Sequence, residues 1–166
     1  AGSPGETIQS YDVIIRNGTI YDGTGAEGKI SDLAISGDKI VKIFPRLPGK
    51  GKTEIDATGM AVTPGFINML SWATESLITD GRSQSDIRQG VTLEVFGEGT
   101  SMGPLNNEMK DRFDNSPEWT TLSEYLEFLE KKGIAPNVAS FIGATTLRIH
   151  QVGYNNRPPT NDEMEA

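Results

Sequence analysis

The sequence predicts a mixed α/β protein in two parts, a β-rich N-terminal stretch followed by parallel strand–helix units. Before residue 64, β-branched runs alternate with turn signals; after it, short apolar strands alternate with helix signals. A further helix signal falls at the very last residues, so the fold is expected to continue beyond them.

Residues 1–10 are small and polar and read as a flexible arm. Residues 11–63 form the first structured segment. Asp12-Val13-Ile14-Ile15-Arg16, Asn17-Gly18 and Thr19-Ile20-Tyr21 read as a hairpin, because Asn-Gly suits the left-handed positions of a tight turn. Leu33–Ser36, a Gly37-Asp38 turn and Lys39–Phe44 read as a second hairpin. Thr53–Asp56, an Ala57-Thr58-Gly59 turn and Met60–Thr63 read as a third. Three hairpins describe a small antiparallel sheet, or half of a sandwich.

Residues 64–166 form the second segment, opened by Pro64-Gly65. Phe66–Leu70 is a short apolar strand, Ser83–Gly90 a brief helix closed by glycine, and Val91–Gly97 the next strand. A loop rich in Gly, Asn and Pro occupies about 98–119. Thr121-Leu122-Ser123-Glu124 is a capping box, followed by Leu122, Tyr125, Leu126 and Leu129 at helical spacing, Lys131-Lys132, and Gly133 as terminator. Asn137–Gly143 is a third strand of the buried type. This alternation implies parallel βα units.

Thr160-Asn161-Asp162-Glu163 is a second capping box, three residues before the end. One turn cannot sustain a helix. A separate chain, a removed segment or residues beyond this sequence are each expected sources of the remainder. The start, Ala1-Gly2-Ser3-Pro4-Gly5, fits either a mature terminus after signal removal or a cloning remnant, so a periplasmic or secreted setting and a cytoplasmic one both stay open.

Composition narrows the partners. A formal net charge of −8 without a basic cluster argues against nucleic acid and against anionic membrane surfaces. There is no apolar run near the length that spans a bilayer. The absence of cysteine removes disulfides and thiolate metal sites.

Four segments taken in order resemble the amidohydrolase superfamily, and within it the D-aminoacylase (N-acyl-D-amino-acid deacylase) branch. They are Tyr11–Gly25, Ile55–Ile67, Gln89-Gly90-Val91-Thr92, and Asn137-Val138-Ala139 with Gly143-Ala144-Thr145-Thr146-Leu147-Arg148. The resemblance implies a small (urease-like composite) β-sandwich joined to a (β/α)₈ barrel, of which this chain would supply the N-terminal sandwich segment and about three barrel strands. It implies a metal, usually zinc, that activates water against an amide bond. A complete relative would be roughly two to three times this length, in keeping with a whole barrel. The expected partners are the remainder of the barrel, a small-molecule or peptide substrate and further subunits.

The family's first barrel strand ends in Asp-x-His-x-His, and the matching residues here are Asn68, Leu70 and Trp72. The Cys that often follows the second strand is matched by Gly99. The His before Thr-Thr-Leu-Arg is matched by Ala144. No metal ligand is therefore expected from this chain, and the resemblance implies an atypical site. Two readings follow. One is an amidohydrolase acting on C–N bonds with ligands supplied by later strands; the other is a non-catalytic barrel relative serving as a binding or scaffold protein. An independently stable β-rich module is a third, opposed by the unfinished helix and exposed parallel strands.

Other residues are candidates on weaker grounds. Glu98, in the loop after the second strand, reads as a catalytic acid, base or ligand, or as a solvated loop acid. Glu94 reads as a buried partnered carboxylate or as an outward salt bridge. Trp72 reads as the floor of an apolar substrate pocket, and both it and Trp119 alternatively as core or interface aromatics. Arg148 would pair a substrate carboxylate or brace a loop. His150, the single histidine, would contact substrate or make a structural hydrogen bond. Gly97–Gly103 lacks the Lys of a P-loop and is expected to be a flexible loop.

Overall fold

The computed structural model describes residues 9–165. The expected arm lies outside the described residues up to Ile8, while Ser10 already begins the first strand. The chain divides into two compact units that meet between Pro64 and Gly65.

The first unit is a five-stranded sheet of β1 (Ser10–Ile20), β2 (Lys29–Ser36), β3 (Lys39–Phe44), β4 (Lys50–Asp56) and β5 (Ala61–Val62). The order is β3-β2-β1-β4, with β5 also on β1. The β2–β3 hairpin forms as expected, antiparallel, with Ile35 opposite Ile40 and Leu33 opposite Ile43.

The other two expected hairpins do not form. β1 runs straight through Asn17-Gly18, where a bulge replaces the turn: Asn17 takes a left-handed φ of 59° and the β1–β2 register shifts between Ile15 and Gly18. The bulge is held by long-range partners. The Asn17 backbone N–H donates to Asp32 Oδ1 at 2.9 Å and its Nδ2 donates to Asp56 Oδ1 at 3.1 Å. At Gly18 a side chain is excluded, since a Cβ would come within 2.5 Å of Val62 Cγ2. The Ala57–Gly59 turn likewise joins two segments that both run parallel to β1, so β4 and β5 continue along one edge instead of folding back on each other.

Tyr11, Ile14, Ala34 and Leu47 form the buried cluster of this unit. Beside them Asp32 accepts from Arg16 Nη1 (3.0 Å) and from the backbone N–H groups of Asn17 and Leu47. The register Ile35–Ile40, Leu33–Ile43 and Ile15–Ile55 lays an apolar row on one face, of which Ile40, Ile43 and Ile55 remain exposed.

The second unit contains β6 (Phe66–Asn68), α1 (Ser76–Thr79), α2 (Gln84–Ile87), β7 (Val91–Phe96), α3 (Asn107–Lys110), α4 (Leu122–Lys132), β8 (Asn137–Ser140), α5 (Ala144–Val152) and α6 (Asn161–Glu165). Its sheet, β6-β7-β8, is parallel throughout and follows chain order. The helix α4 has the expected reciprocal cap, with Glu124 N–H donating to Thr121 Oγ1 (3.2 Å) and Thr121 N–H to Glu124 Oε2 (2.9 Å). Gly133 ends it at φ 77°. Its Tyr125 and Leu129 are fully buried among Leu77, Phe96, Met102, Leu105, Met109 and Trp119.

Two expectations change here. The Gly97–Gly103 loop, expected to be flexible, buries Ser101 and Met102, and the loop expected over about 98–119 also buries Leu105, Met109 and Trp119, with Trp119 Nε1 donating to the Met102 carbonyl at 2.8 Å. The residues after Ser140 do not extend the third strand; Gly143 starts helix α5, tied down by Thr146 Oγ1, which accepts from Ser101 N–H at 2.8 Å.

Candidate active site

Leu70, Trp72, Glu98 and Gly99 gather where β6 and β7 end. In parallel α/β sheets ligands bind outside the carboxyl ends of the strands, where loops diverge and backbone groups are left free. Here the segment after β6 and the loop after β7 enclose a shallow cleft lined by Leu70, Ser71, Trp72, Thr74, Gly97, Glu98, Gly99 and Thr100.

A buried carboxylate organises this end. Glu94 lies inside β7 with 0% exposure, the partnered alternative of its two readings. Ser71 Oγ donates to Glu94 Oε2 and Ser83 Oγ to Glu94 Oε1, both at 2.6 Å. Ser71 also receives the Ala73 backbone N–H on its Oγ (3.2 Å) and donates its own N–H to Val95 O (2.9 Å), which prolongs the β6–β7 ladder past the last residue of β6. Tyr125 pins the same segment through a 2.7 Å bond from its hydroxyl to Thr74 O. Burial, then the charges of Glu75 and Glu94, pushes the Tyr125 hydroxyl well above its usual range, so it stays a neutral donor.

The predicted residues separate. Glu98 is exposed on the cleft lip, and Trp72 is 74% exposed beside it. Trp119, in contrast, is core. Arg148 Nη2 donates to the carbonyls of Asn155 (3.1 Å) and Arg157 (2.7 Å), bracing the turn after α5. His150 lies in the last turn of α5, where its carbonyl accepts from Asn106 Nδ2 at 3.1 Å. Neither Arg148 nor His150 lines the cleft. Ser71 and Ser83 were not singled out from the sequence; the one hint was an acidic residue inside the apolar run Val91–Phe96, which demands buried partners.

Comparison with known proteins gives this arrangement a context. No family model matches the chain. A D-aminoacylase of Alcaligenes xylosoxydans xylosoxydans is 30% identical over 165 residues, covering 95% of this chain and 34% of the relative. An N-acyl-D-aspartate deacylase of the same organism is 32% identical over 162 residues, covering 93% and 32%. A solved D-aminoacylase, described by its binuclear metal centre, superposes with a TM-score of 0.81 at 30% identity over 93% of this chain and 34% of its own. Almost the whole chain is thus similar, in sequence and in backbone, to part of the D-aminoacylases and N-acyl-D-amino-acid deacylases. It spans about a third of the length of these relatives. A solved N-acyl-D-glutamate deacylase of Bordetella bronchiseptica, complexed with zinc and a phosphonate mimic of the tetrahedral intermediate, superposes with a TM-score of 0.80 at 26% identity over 95% of this chain and 34% of its own.

The residues of this D-aminoacylase-like chain do not fit a metal ion. Leu70, Trp72, Gly99 and Ala144 offer no side-chain donor atom. The Asn68 carboxamide is engaged within the protein: its Oδ1 accepts from Leu70 N–H (3.2 Å) and its Nδ2 donates to Asp86 Oδ1 (3.4 Å). Among the described residues no group of three or more His, Cys, Asp or Glu side chains converges on one point.

Proposed function

We propose that this chain is the N-terminal part of an amidohydrolase that cleaves the amide bond of N-acyl amino acids, with a metal site supplied differently from that of its relatives. The observation that carries this reading is the match of almost the whole chain, in sequence and in backbone, to deacylases of N-acyl-D-amino acids. On this reading the first unit belongs to a β-sandwich, and its exposed row of Ile40, Ile43 and Ile55 is the surface a second sheet covers. The sheet β6-β7-β8 is the first three strands of a (β/α)₈ barrel, and the rest of the protein, in the same chain or a second one, completes it.

Any zinc would be held by residues outside this chain. Within it, Glu98 stands on the cleft lip as the general acid or base, within an environment open enough for a substrate amide to reach. Trp72 contacts substrate. Arg148 and His150 act further out, through the turn after α5.

Metal analysis of the complete protein, combined with hydrolysis assays on N-acyl-D-amino acids and small peptides, tests the proposal. Release of free amino acid is expected; a metal-free protein inert on the whole panel contradicts it. That second outcome is what a binding or scaffold relative predicts, a reading favoured by the hydrocarbon side chains of Leu70, Trp72 and Ala144.

A further inference from the structure

From Met69 to Glu75 the chain leaves β6 without regular structure, yet it is tied along its length. The Leu70 N–H donates to Asn68 Oδ1, the Ser71 N–H to the Val95 carbonyl, and the Ala73 N–H to Ser71 Oγ. The Tyr125 hydroxyl holds the Thr74 carbonyl from α4. Glu94 is the hub of these ties, taking Ser71 on one carboxylate oxygen and Ser83 on the other, both at 2.6 Å. Ser83 has a left-handed φ of 42°, which a residue other than glycine keeps only where its surroundings fix it.

Glu94 and Ser71 are buried by this chain alone, at 0% and 7% exposure, and further protein can only add to that burial. A metal ion at the ends of two strands fixes them by holding side chains from both. Of the solved relatives, one is described by a binuclear metal centre and another is complexed with zinc. Among the described residues of this chain no ligand set converges. The buried carboxylate instead joins the segment after β6 to β7 directly.

We propose that Glu94 is a positioning residue which, through Ser71 and Ser83, orders the segment Asn68–Thr74 with no metal ion bound to that segment. The proposal goes beyond the deacylase reading and does not depend on it, since it concerns the order of this segment rather than hydrolysis.

The test is amide hydrogen exchange of the complete protein, with and without EDTA. In the wild type the Ser71 and Ala73 amides should exchange equally slowly in both conditions. Glu94→Ala and the milder Ser83→Ala should each speed both amides by about five- to tenfold, as expected for the loss of a hydrogen-bonded anchor. Glu94→Gln, which keeps an acceptor and the volume, should restore most of the protection. The Thr19 and Tyr21 amides of the first unit, bonded to the Met60 and Val62 carbonyls, should not change in any variant. Faster exchange at Ser71 and Ala73 on adding EDTA to the wild type overturns the proposal, because a metal then orders the segment. Wild-type rates in both alanine variants overturn it as well, as does an equal rise at Thr19 and Tyr21, which marks a general loss of stability. Hydrolysis of N-acyl-D-amino acids by the same samples decides the deacylase reading separately.

Discussion

Ser71 donates a 2.6 Å hydrogen bond to Glu94, a carboxylate with no exposed surface and no ion pair among the described residues. The bond joins the segment after β6 to the interior of β7. With Ser83 on the other oxygen, it determines where Leu70 and Trp72 stand. Burying a carboxylate is costly, and hydrogen bonds from hydroxyls offset that cost only while all of them are made.

Glu94→Ala should therefore destabilise the complete protein by about 2–4 kcal/mol, since it leaves the buried Ser71 hydroxyl without its acceptor, removes the Ser83 bond and opens a cavity. Glu94→Gln keeps an acceptor and the volume and should cost less than half as much. Urea unfolding of the two variants checks the order; equal losses would show that the bonds from Ser71 and Ser83 contribute little.

Gly97, at the end of β7, has φ 88°, and a Cβ there would run into the Phe141 carbonyl. Gly97→Ala should cost about 2 kcal/mol or more through strain and clash together. It should also displace Glu98. Denaturant unfolding measures the first effect and a pH–rate profile of the complete protein the second.

In the first unit, burial raises the Asp32 carboxyl, but the backbone N–H groups of Asn17 and Leu47 together with Arg16 outweigh it and hold its pKa below the ordinary 3.8. A depressed carboxylate pKa adds stability that is present above the unfolded value and lost as pH falls through the folded one. The contribution should thus be complete at neutral pH and fade below about pH 4. Asp32→Asn should cost about 2–4 kcal/mol at pH 7 and lose that penalty progressively in acid, as read from unfolding midpoints at several pH values.

The features legible in the sequence were local ones. The Thr121 and Thr160 boxes and the Gly133 stop form because partners three or four residues apart decide them. Asn17-Gly18 misled because its turn-like φ is real, but Asp32 and Asp56, far along the chain, convert it to a bulge in one long strand. The Ala57–Gly59 turn was also real; which strand its arms pair with depends on β1. Helix α5 was hidden by the β-branched Thr145-Thr146, and is anchored through Ser101 instead of a sequence cap. At the site, the choice between a buried and an outward Glu94 required Ser71 and Ser83 to be in place.

The capping carboxylate Glu163 gives a spectroscopic check. The Arg157 guanidinium, then the Thr160 backbone N–H, holds it down at about 2 from an ordinary 4.5. Carboxyl NMR titration of the complete protein should find it ionised at pH 3.5, and Arg157→Ala should return it toward the ordinary value. Titration near 4.5 in the wild type would mean that the box around α6 is open.

The most direct test of the central claim counts metal ions per protomer in the complete protein while it turns over an N-acyl-D-amino acid. With no ligand supplied by Asn68, Leu70, Trp72, Gly99 or Ala144, hydrolysis should proceed with no more than one ion bound. Two tightly held ions per active protomer, or no hydrolysis of any N-acyl amino acid, would contradict it.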